Sequence, residues 1–126
     1  MAWLKDQQPE AQRVRLLLDS GERRECRLVM NIVNLGEVFY LSVKAKDLAF
    51  GNRILKNLRA RMTIVPADNE LVMFAATLKA RHTIAYADAF AAATAMRHEA
   101  PLVTGDPELK TMAERETTLT LEWIAA

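Results

Sequence analysis

Cysteine, glycine and net charge are all scarce in this sequence, and each scarcity excludes a class of protein. A single cysteine excludes a framework of disulfide bonds within the chain. Four glycines, with no GxGxxG motif among them, exclude a glycine-rich phosphate loop. A formal net charge of +1 excludes a broadly basic coat for nucleic acid, so any contact with nucleic acid has to be local. No apolar run approaches the roughly 20 residues that cross a bilayer.

The remaining composition is that of an ordinary globular domain. Hydrophobic residues make up 51% of the 126 residues, and charged residues make up 26%. This length favours one compact domain over residues 1–126, with its own hydrophobic core. The N-terminus lacks the basic and then apolar layout of a signal peptide, and Cys26, in an apolar run, is expected to be a buried thiol. We therefore expect a soluble, cytoplasmic protein without a membrane partner.

Short apolar runs alternate with helical patterns along the chain, which predicts an α/β fold with a largely parallel sheet. The strand candidates are Arg27–Asn31, Met62–Val65, Pro101–Thr104 and Leu119–Ile124. Helices are predicted from Pro9 to Gly21, from Asn34, after a cap at Asp47, from about Asp68, from Asp88, and from Asp106 to about Ala113.

The stretch from Tyr86 to Leu109 carries the main functional signal. Asp88 opens an alanine-rich helix, and the strand that follows stops just before Asp106. In open parallel sheets, ligand sites gather beyond the carboxyl ends of the strands. Two carboxylates brought together there repel each other unless a hard cation neutralises them. The stretch therefore predicts a metal-dependent site.

Two further residues join this candidate site, and every member also has a purely structural interpretation. Glu37 lies in an apolar helical stretch, where a buried and unpaired carboxylate is costly, but it also fits the edge of the stripe, within reach of water. Thr104 can orient a water or a carboxylate, or serve only as a β-branched strand residue. Asp106 can simply cap the helix that Pro107 begins, and Asp88 can simply complement a helix dipole. Three acids near the ends of different elements nevertheless favour Mg²⁺ or Mn²⁺ ligands.

Other chemistry has little support in the sequence. His82 and His98 lack metal-ligand spacing and are expected on the surface. Ser20 and Ser42 have no base nearby in sequence, which argues against nucleophilic catalysis. A basic stretch over residues 44–61 is either a solvated helix face or a rim that contacts phosphates. Its candidate phosphate-contacting residues are Arg53, Lys56 and Arg59.

Three motifs, in order and over nearly the whole chain, resemble those of a PIN domain of the VapC toxin type. The segment NLGEVFY around Glu37 resembles the acidic-helix motif of the family, and ARHTIAYADAFAAATA around Asp88 resembles its most recognisable segment. The segment PLVTGDPELK around Asp106 resembles the third acidic motif, with Thr104 in the usual hydroxyl position. The resemblance implies a PIN-like three-layer α/β/α fold with a mostly parallel sheet.

The same resemblance implies a function. It implies a Mg²⁺- or Mn²⁺-dependent endoribonuclease that hydrolyses RNA phosphodiester bonds. Such a protein is usually the toxin of a type II toxin–antitoxin pair, forms a homodimer and is inhibited by a VapB-like antitoxin. The metal ligands would be Glu37, Asp88 and Asp106, which with Thr104 form the catalytic set, while Arg53, Lys56 and Arg59 would bind the RNA.

One departure from the family pattern concerns the N-terminus. The family begins with a strand that ends in an aspartate, followed by a helix, and Met1-Ala2-Trp3-Leu4 resembles the start of that helix. We therefore expect the first strand and its acid to be absent from this chain, and Asp6 falls too far along to replace the acid. A late gene start, a truncation, or replacement by another segment would each account for this. The alternative function is a catalytically inactive PIN-like module that dimerises or binds an antitoxin.

Overall fold

The computed structural model of the protein describes residues 10–23 and 25–124. Its helices and strands are, in chain order, α1 (Glu10–Glu22), β1 (Val29–Asn31), α2 (Ile32–Ala45), α3 (Leu48–Arg61), β2 (Thr63–Val65), α4 (Asn69–Arg81), α5 (Tyr86–Arg97), β3 (Leu102–Thr104), α6 (Pro107–Arg115) and β4 (Leu121–Trp123). The chain forms two compact units, one up to Pro66 and one from Ala67. Residues 1–4 and Asp6, on which the expectation of a missing first strand rests, lie outside the described residues.

Each unit contains one pair of parallel strands. In the first unit β1 pairs with β2, and Val29 lies opposite Thr63. In the second unit β3 pairs with β4, and Leu102 lies opposite Leu121. The predicted α/β fold with parallel strands is therefore confirmed. Among the described residues the strands form two two-stranded sheets, not the single sheet that was expected.

The first unit is built around the hairpin of α2 and α3, whose apolar stripes face each other at helical spacing. Its buried core consists of Leu18, Leu35, Val38 and Leu58. Gly51 of α3 allows the two helices to approach closely, because a Cβ at this position would lie only 2.5 Å from Cγ2 of Val43. The buried stripe of α2 includes Leu35 and Val38, each 1% exposed.

Asn31 joins the first strand directly to the helix that follows. Its buried side chain accepts a hydrogen bond from the backbone N–H of Val33 at 2.9 Å and donates one to the carbonyl oxygen of Pro66 at 3.3 Å. An amide that can both accept and donate satisfies two backbone groups at once. As a result α2 begins at Ile32, two residues before the start predicted at Asn34.

Aspartates cap the next two helices, and of these two caps the sequence predicted the one at Asp47. Asp47 accepts a hydrogen bond from the N–H of Phe50 at 2.8 Å, and Asp68 accepts one from the N–H of Leu71 at 2.8 Å. The guanidinium of Arg97 also donates to both carboxylate oxygens of Asp68, at 2.7 and 3.1 Å. This pair and the cap together lower the pKa of Asp68 to about 2. The ion pair of Arg97 with Asp68 also connects the start of α4 to the last turn of α5.

In the second unit, α4 packs against an alanine-rich α5. Ala89, Ala92 and Ala93 are fully buried, and their small side chains let the helix lie close to its neighbours. Leu71 and Leu78 of α4 face the core and are exposed by no more than 1%. The second unit thus holds the predicted Asp88 helix against a packed core.

Two sequence-based predictions about individual side chains are wrong. Cys26 is exposed, because β1 begins only at Val29 and leaves the cysteine in the preceding loop. His82 is not a surface residue: its side chain is only 7% exposed, and its Nε2 lies 2.9 Å from Oε1 of Glu116. His98 is exposed, as predicted.

Across residues 10–23 and 25–124, none of the helices has both the length and the apolar character that a membrane crossing demands.

Candidate active site

Asp106 lies just beyond the carboxyl end of β3, as the sequence predicts. Its Oδ1 accepts a hydrogen bond from the N–H of Glu108 at 2.9 Å, and Pro107 occupies the first turn of α6, so the residue does cap that helix. The backbone N–H of Asp106 donates to Oγ1 of Thr104 at 3.1 Å. Thr104 is buried at the end of β3 and therefore fixes the turn from which the carboxylate projects. The cap uses Oδ1, and Oδ2 remains for a further ligand.

Asp88 lies in the first turn of α5 and is half-buried. The helix ends in a left-handed turn: Glu99 has a φ of 51°, and the N–H of Ala100 donates to the carbonyl oxygen of Ala95 at 3.0 Å. Such a turn reverses the direction of the chain at the end of a helix. The chain then returns into β3, which packs against α5.

Asp88 at the start of α5 and Asp106 just after β3 thus lie on neighbouring elements of the same unit. Both also sit at the start of a helix, where the positive end of the helix dipole stabilises a carboxylate.

A divalent metal fits these two acids better than it fits a larger cluster. Among residues 10–23 and 25–124, no group of three or more His, Cys, Asp or Glu side chains is arranged to hold a metal ion. Mg²⁺ commonly binds through only one or two carboxylates and keeps several waters. Asp88 and Asp106 supply hard oxygen ligands of this kind, and both remain half-exposed.

Glu37, the third predicted ligand, belongs to the first unit. It lies within α2, half-buried, on the flank of the buried stripe formed by Leu35, Val38 and Ser42. This is the stripe-edge position that the sequence allowed. Ser42 is buried and donates its hydroxyl to the carbonyl oxygen of Val38 at 2.7 Å, a structural contact that leaves it no part in catalysis.

The basic stretch forms an exposed helix face. Arg53, Lys56 and Arg59 are all exposed on α3, which carries no acidic residue between Leu48 and Arg61. The side chains of Lys46 and Arg53 lie over the Phe50 ring, at 5.3 and 5.8 Å from its centre.

The two units also differ in charge. Residues 1–66 hold twelve Lys and Arg against seven Asp and Glu, whereas residues 67–126 hold five against nine. The basic excess thus lies in the unit that contains α3, and the acidic excess in the unit that contains Asp88 and Asp106. The formal net charge of +1 for the whole chain does not reveal this difference in charge between the two units.

No motif in the sequence marks the outward face of α2. Ile32 and Tyr40 are 40% and 50% exposed, and Gly36 lies between them. Residues spaced four apart lie along one side of a helix. The available signal was that these positions alternate with the buried stripe, but an exposed tyrosine beside a glycine has no sequence signature of its own.

Comparison with known proteins gives a consistent result. The model of the PIN domain family matches residues 1–115. The fold is similar to a chain of VapBC2 from Rickettsia felis, solved bound to a DNA fragment from their promoter, with a TM-score of 0.69 and 20% identity over 98% of this chain and 91% of that one. It is also similar to a chain of VapBC-1 from nontypeable Haemophilus influenzae, with a TM-score of 0.61 and 20% identity over 77% of this chain and 74% of that one. No curated protein matches the sequence. Because the family model covers most of the chain, the protein belongs to the PIN domain family.

Proposed function

We propose that the protein is a metal-dependent endoribonuclease whose Asp88 and Asp106 hold a Mg²⁺ or Mn²⁺ ion. Glu37, the third acid that the resemblance implies, stays a prediction. The observation that carries the proposal is the position of two acids on neighbouring elements, Asp88 at the start of α5 and Asp106 just after β3. PIN domains are generally nucleases that depend on a divalent metal, which supports this assignment.

The chemistry needs no dedicated side-chain base. When bound, a divalent cation lowers the pKa of a water and stabilises the charge that develops on the phosphate. Asp88 and Asp106 would hold the cation, and Thr104 accepts from the N–H of Asp106 and so holds the turn that carries this carboxylate. The one well-buried histidine among the described residues, His82, is already bonded to Glu116.

The exposed face of α3 is proposed to hold the RNA backbone. Arg53, Lys56 and Arg59 project into solvent from a helix without acids, so they are available to neutralise phosphates. Replacing one of them by glutamine is expected to weaken RNA binding for every sequence alike. It should also reduce the slope of log K against log salt by about one unit. An unchanged slope in all three variants would remove α3 from the RNA surface.

The partner is proposed to be a VapB-like antitoxin, and the protein the toxin of a type II pair, acting as a homodimer in the cytoplasm. The likeness of fold to chains of two VapBC structures supports this proposal. Co-expression with the product of an adjacent small gene, followed by size-exclusion chromatography with light scattering, tests both the pairing and the dimer.

Cleavage of RNA is the direct test of the activity. The purified protein is expected to cut single-stranded RNA internally with Mg²⁺ or Mn²⁺, and EDTA should stop the reaction. Asp106→Asn should lower the rate by roughly a hundredfold or more, because it removes an anionic ligand. Asp47→Asn is a matched control: it neutralises another helix-capping aspartate and should leave cleavage intact. Equal cleavage by both variants would remove Asp106 from the site.

The alternative function is a catalytically inactive binding or dimerisation module. A module of this kind needs no cluster of three metal ligands, and the described residues contain none. Such a module would bind its antitoxin or its own copy but cut no RNA with any divalent metal. Wild-type cleavage that Asp106→Asn abolishes excludes the module.

A further inference from the structure

The first unit contains three glycines, and the packing of the fold explains why two of these positions require glycine. A Cβ at Gly51 would lie 2.5 Å from Cγ2 of Val43, and a Cβ at Gly21 would lie 2.8 Å from Cδ1 of Leu28. These glycines are needed for close packing. A Cβ at Gly36, in contrast, would have no heavy atom within 4 Å.

Gly36 is therefore unexplained by the packing of its own chain. It lies in the interior of α2, where glycine is less stable than alanine because it loses more conformational freedom on folding. A residue that weakens its helix and leaves open space beside it suits a position that something else approaches closely. Gly36 also immediately precedes Glu37, the third acid that the resemblance implies.

Tyr40 follows Gly36 by four residues, on the same exposed side of α2, and is 50% exposed. Aromatic side chains on helices lean toward the preceding turn, and for Tyr40 that turn contains Gly36. The space beside position 36 is open, since no heavy atom lies within 4 Å of an added Cβ.

We propose that Tyr40 and Gly36 form a stacking slot for a nucleobase of the RNA, next to Glu37. The inference rests on the proposed nuclease function and adds to it the residues that hold the strand. Single-stranded RNA is recognised by stacking unpaired bases on aromatic side chains, beside cations that contact the backbone. Tyr40 supplies the aromatic face, and Gly36 supplies room for the base.

The charges around the slot favour a nucleic acid over a protein partner. Lys44 follows Tyr40 by one turn on the same exposed side, and Lys46 and Arg53 come next along the hairpin. Among the described residues of α2, the large apolar side chains that are exposed are Ile32 and Tyr40. A protein interface generally needs a larger apolar patch.

The test measures binding of a fluorescein-labelled single-stranded RNA of about ten nucleotides by fluorescence anisotropy, in EDTA so that no cleavage occurs. Tyr40→Phe and Tyr40→Trp keep an aromatic face and should bind within about twofold of wild type or tighter. Tyr40→Leu keeps apolar volume without an aromatic face and should bind about tenfold more weakly. Gly36→Ala should bind several-fold more weakly, while its melting temperature rises rather than falls.

Leu16→Ala is the control, because it shortens another exposed apolar side chain, 57% exposed on α1, and should leave RNA binding unchanged. If Tyr40→Leu binds as tightly as wild type, the stacking slot is overturned while the nuclease proposal stands. If the wild-type protein binds no RNA, both are overturned. Agreement of all five variants with the expected order supports the slot.

Discussion

At the scale of single residues, Asp106 combines two roles that a substitution can separate. Its Oδ1 caps α6 by accepting from the N–H of Glu108, and its negative charge is the feature that a metal needs. The structural interpretation of this residue is thus correct, and it does not compete with the functional one. Helix caps hold a carboxylate in a fixed position at an edge of the sheet, which suits a metal ligand.

The first prediction separates the cap from the charge. Asp106→Asn retains a side-chain oxygen that can cap α6, so its free energy of unfolding should remain close to that of wild type. Asp106→Ala loses the cap and should be less stable by about 1 kcal/mol. Urea denaturation followed by circular dichroism measures both. Equal loss of stability in the two variants would show that the charge itself, and not the hydrogen bond, stabilises the helix.

At the scale of elements, the first unit depends on how closely α2 and α3 approach. Gly51 lies at their contact. A Cβ added at Gly51 would lie 2.5 Å from Cγ2 of Val43 and 3.3 Å from the Phe39 ring, whereas a Cβ added at Gly36 would face open space. The two glycines lie on helices of the same hairpin, yet only one is required by packing. The same substitution should therefore have opposite effects at the two positions.

The second prediction follows from this contrast. Gly51→Ala should destabilise the protein by about 1–3 kcal/mol, because the added methyl group forces the helices apart. Gly36→Ala should stabilise it by about 0.5–1 kcal/mol, because alanine favours the helix. Thermal unfolding of the two variants beside wild type gives the comparison. Melting temperatures that move in the same direction would contradict the described packing of the hairpin.

The second unit is held by an ionic contact between two helix ends. Glu116, just after α6, lies 2.9 Å both from Nε2 of His82 and from Nη1 of Arg81, the two residues at the end of α4. The side chain of Glu116 is 14% exposed and that of His82 is 7% exposed, so the contact between these two residues is largely shielded from water. The hydrogen bond from His82, reinforced by Arg81, lowers the pKa of the Glu116 carboxyl.

The third prediction concerns pH. Because the pKa of Glu116 is lower in the folded than in the unfolded protein, the contact stabilises the fold above the ordinary pKa of glutamate, about 4.3. This stabilisation is lost as the pH falls through the lowered pKa. Glu116→Gln should therefore melt below wild type at pH about 6 to 7, and the difference should shrink as the pH falls below the ordinary pKa of glutamate. A constant difference between their melting temperatures over this range would contradict the assignment.

At the scale of the whole molecule, sequence patterns predicted the order and type of the elements well. The caps at Asp47 and Asp106 were predicted because each has a local signature, an acid followed by a helical pattern. The cap at Asp68 was not predicted, although a helix was expected to begin near it. Strand ends were predicted less well: the last strand spans Leu121–Trp123, shorter than the apolar alternation from Leu119. Alternation continues wherever side chains are half-buried, but a strand ends where backbone pairing stops.

The environment of single side chains was the least predictable feature. His82 is buried because its partner, Glu116, lies 34 residues further along the chain, and no local pattern connects them. For the candidate site, the sequence located Asp88, Thr104 and Asp106 at the ends of the correct elements. It could not measure how closely carboxylates approach, because that distance depends on the packing of whole units.

The central claim is that Asp88 and Asp106 bind one divalent cation between them. Isothermal titration calorimetry of Mn²⁺ binding to the full chain tests this claim most directly. The account predicts saturable binding to the wild-type protein that is lost in both Asp88→Asn and Asp106→Asn, while Asp47→Asn binds as the wild type does. Binding that is equal in all four proteins would contradict it.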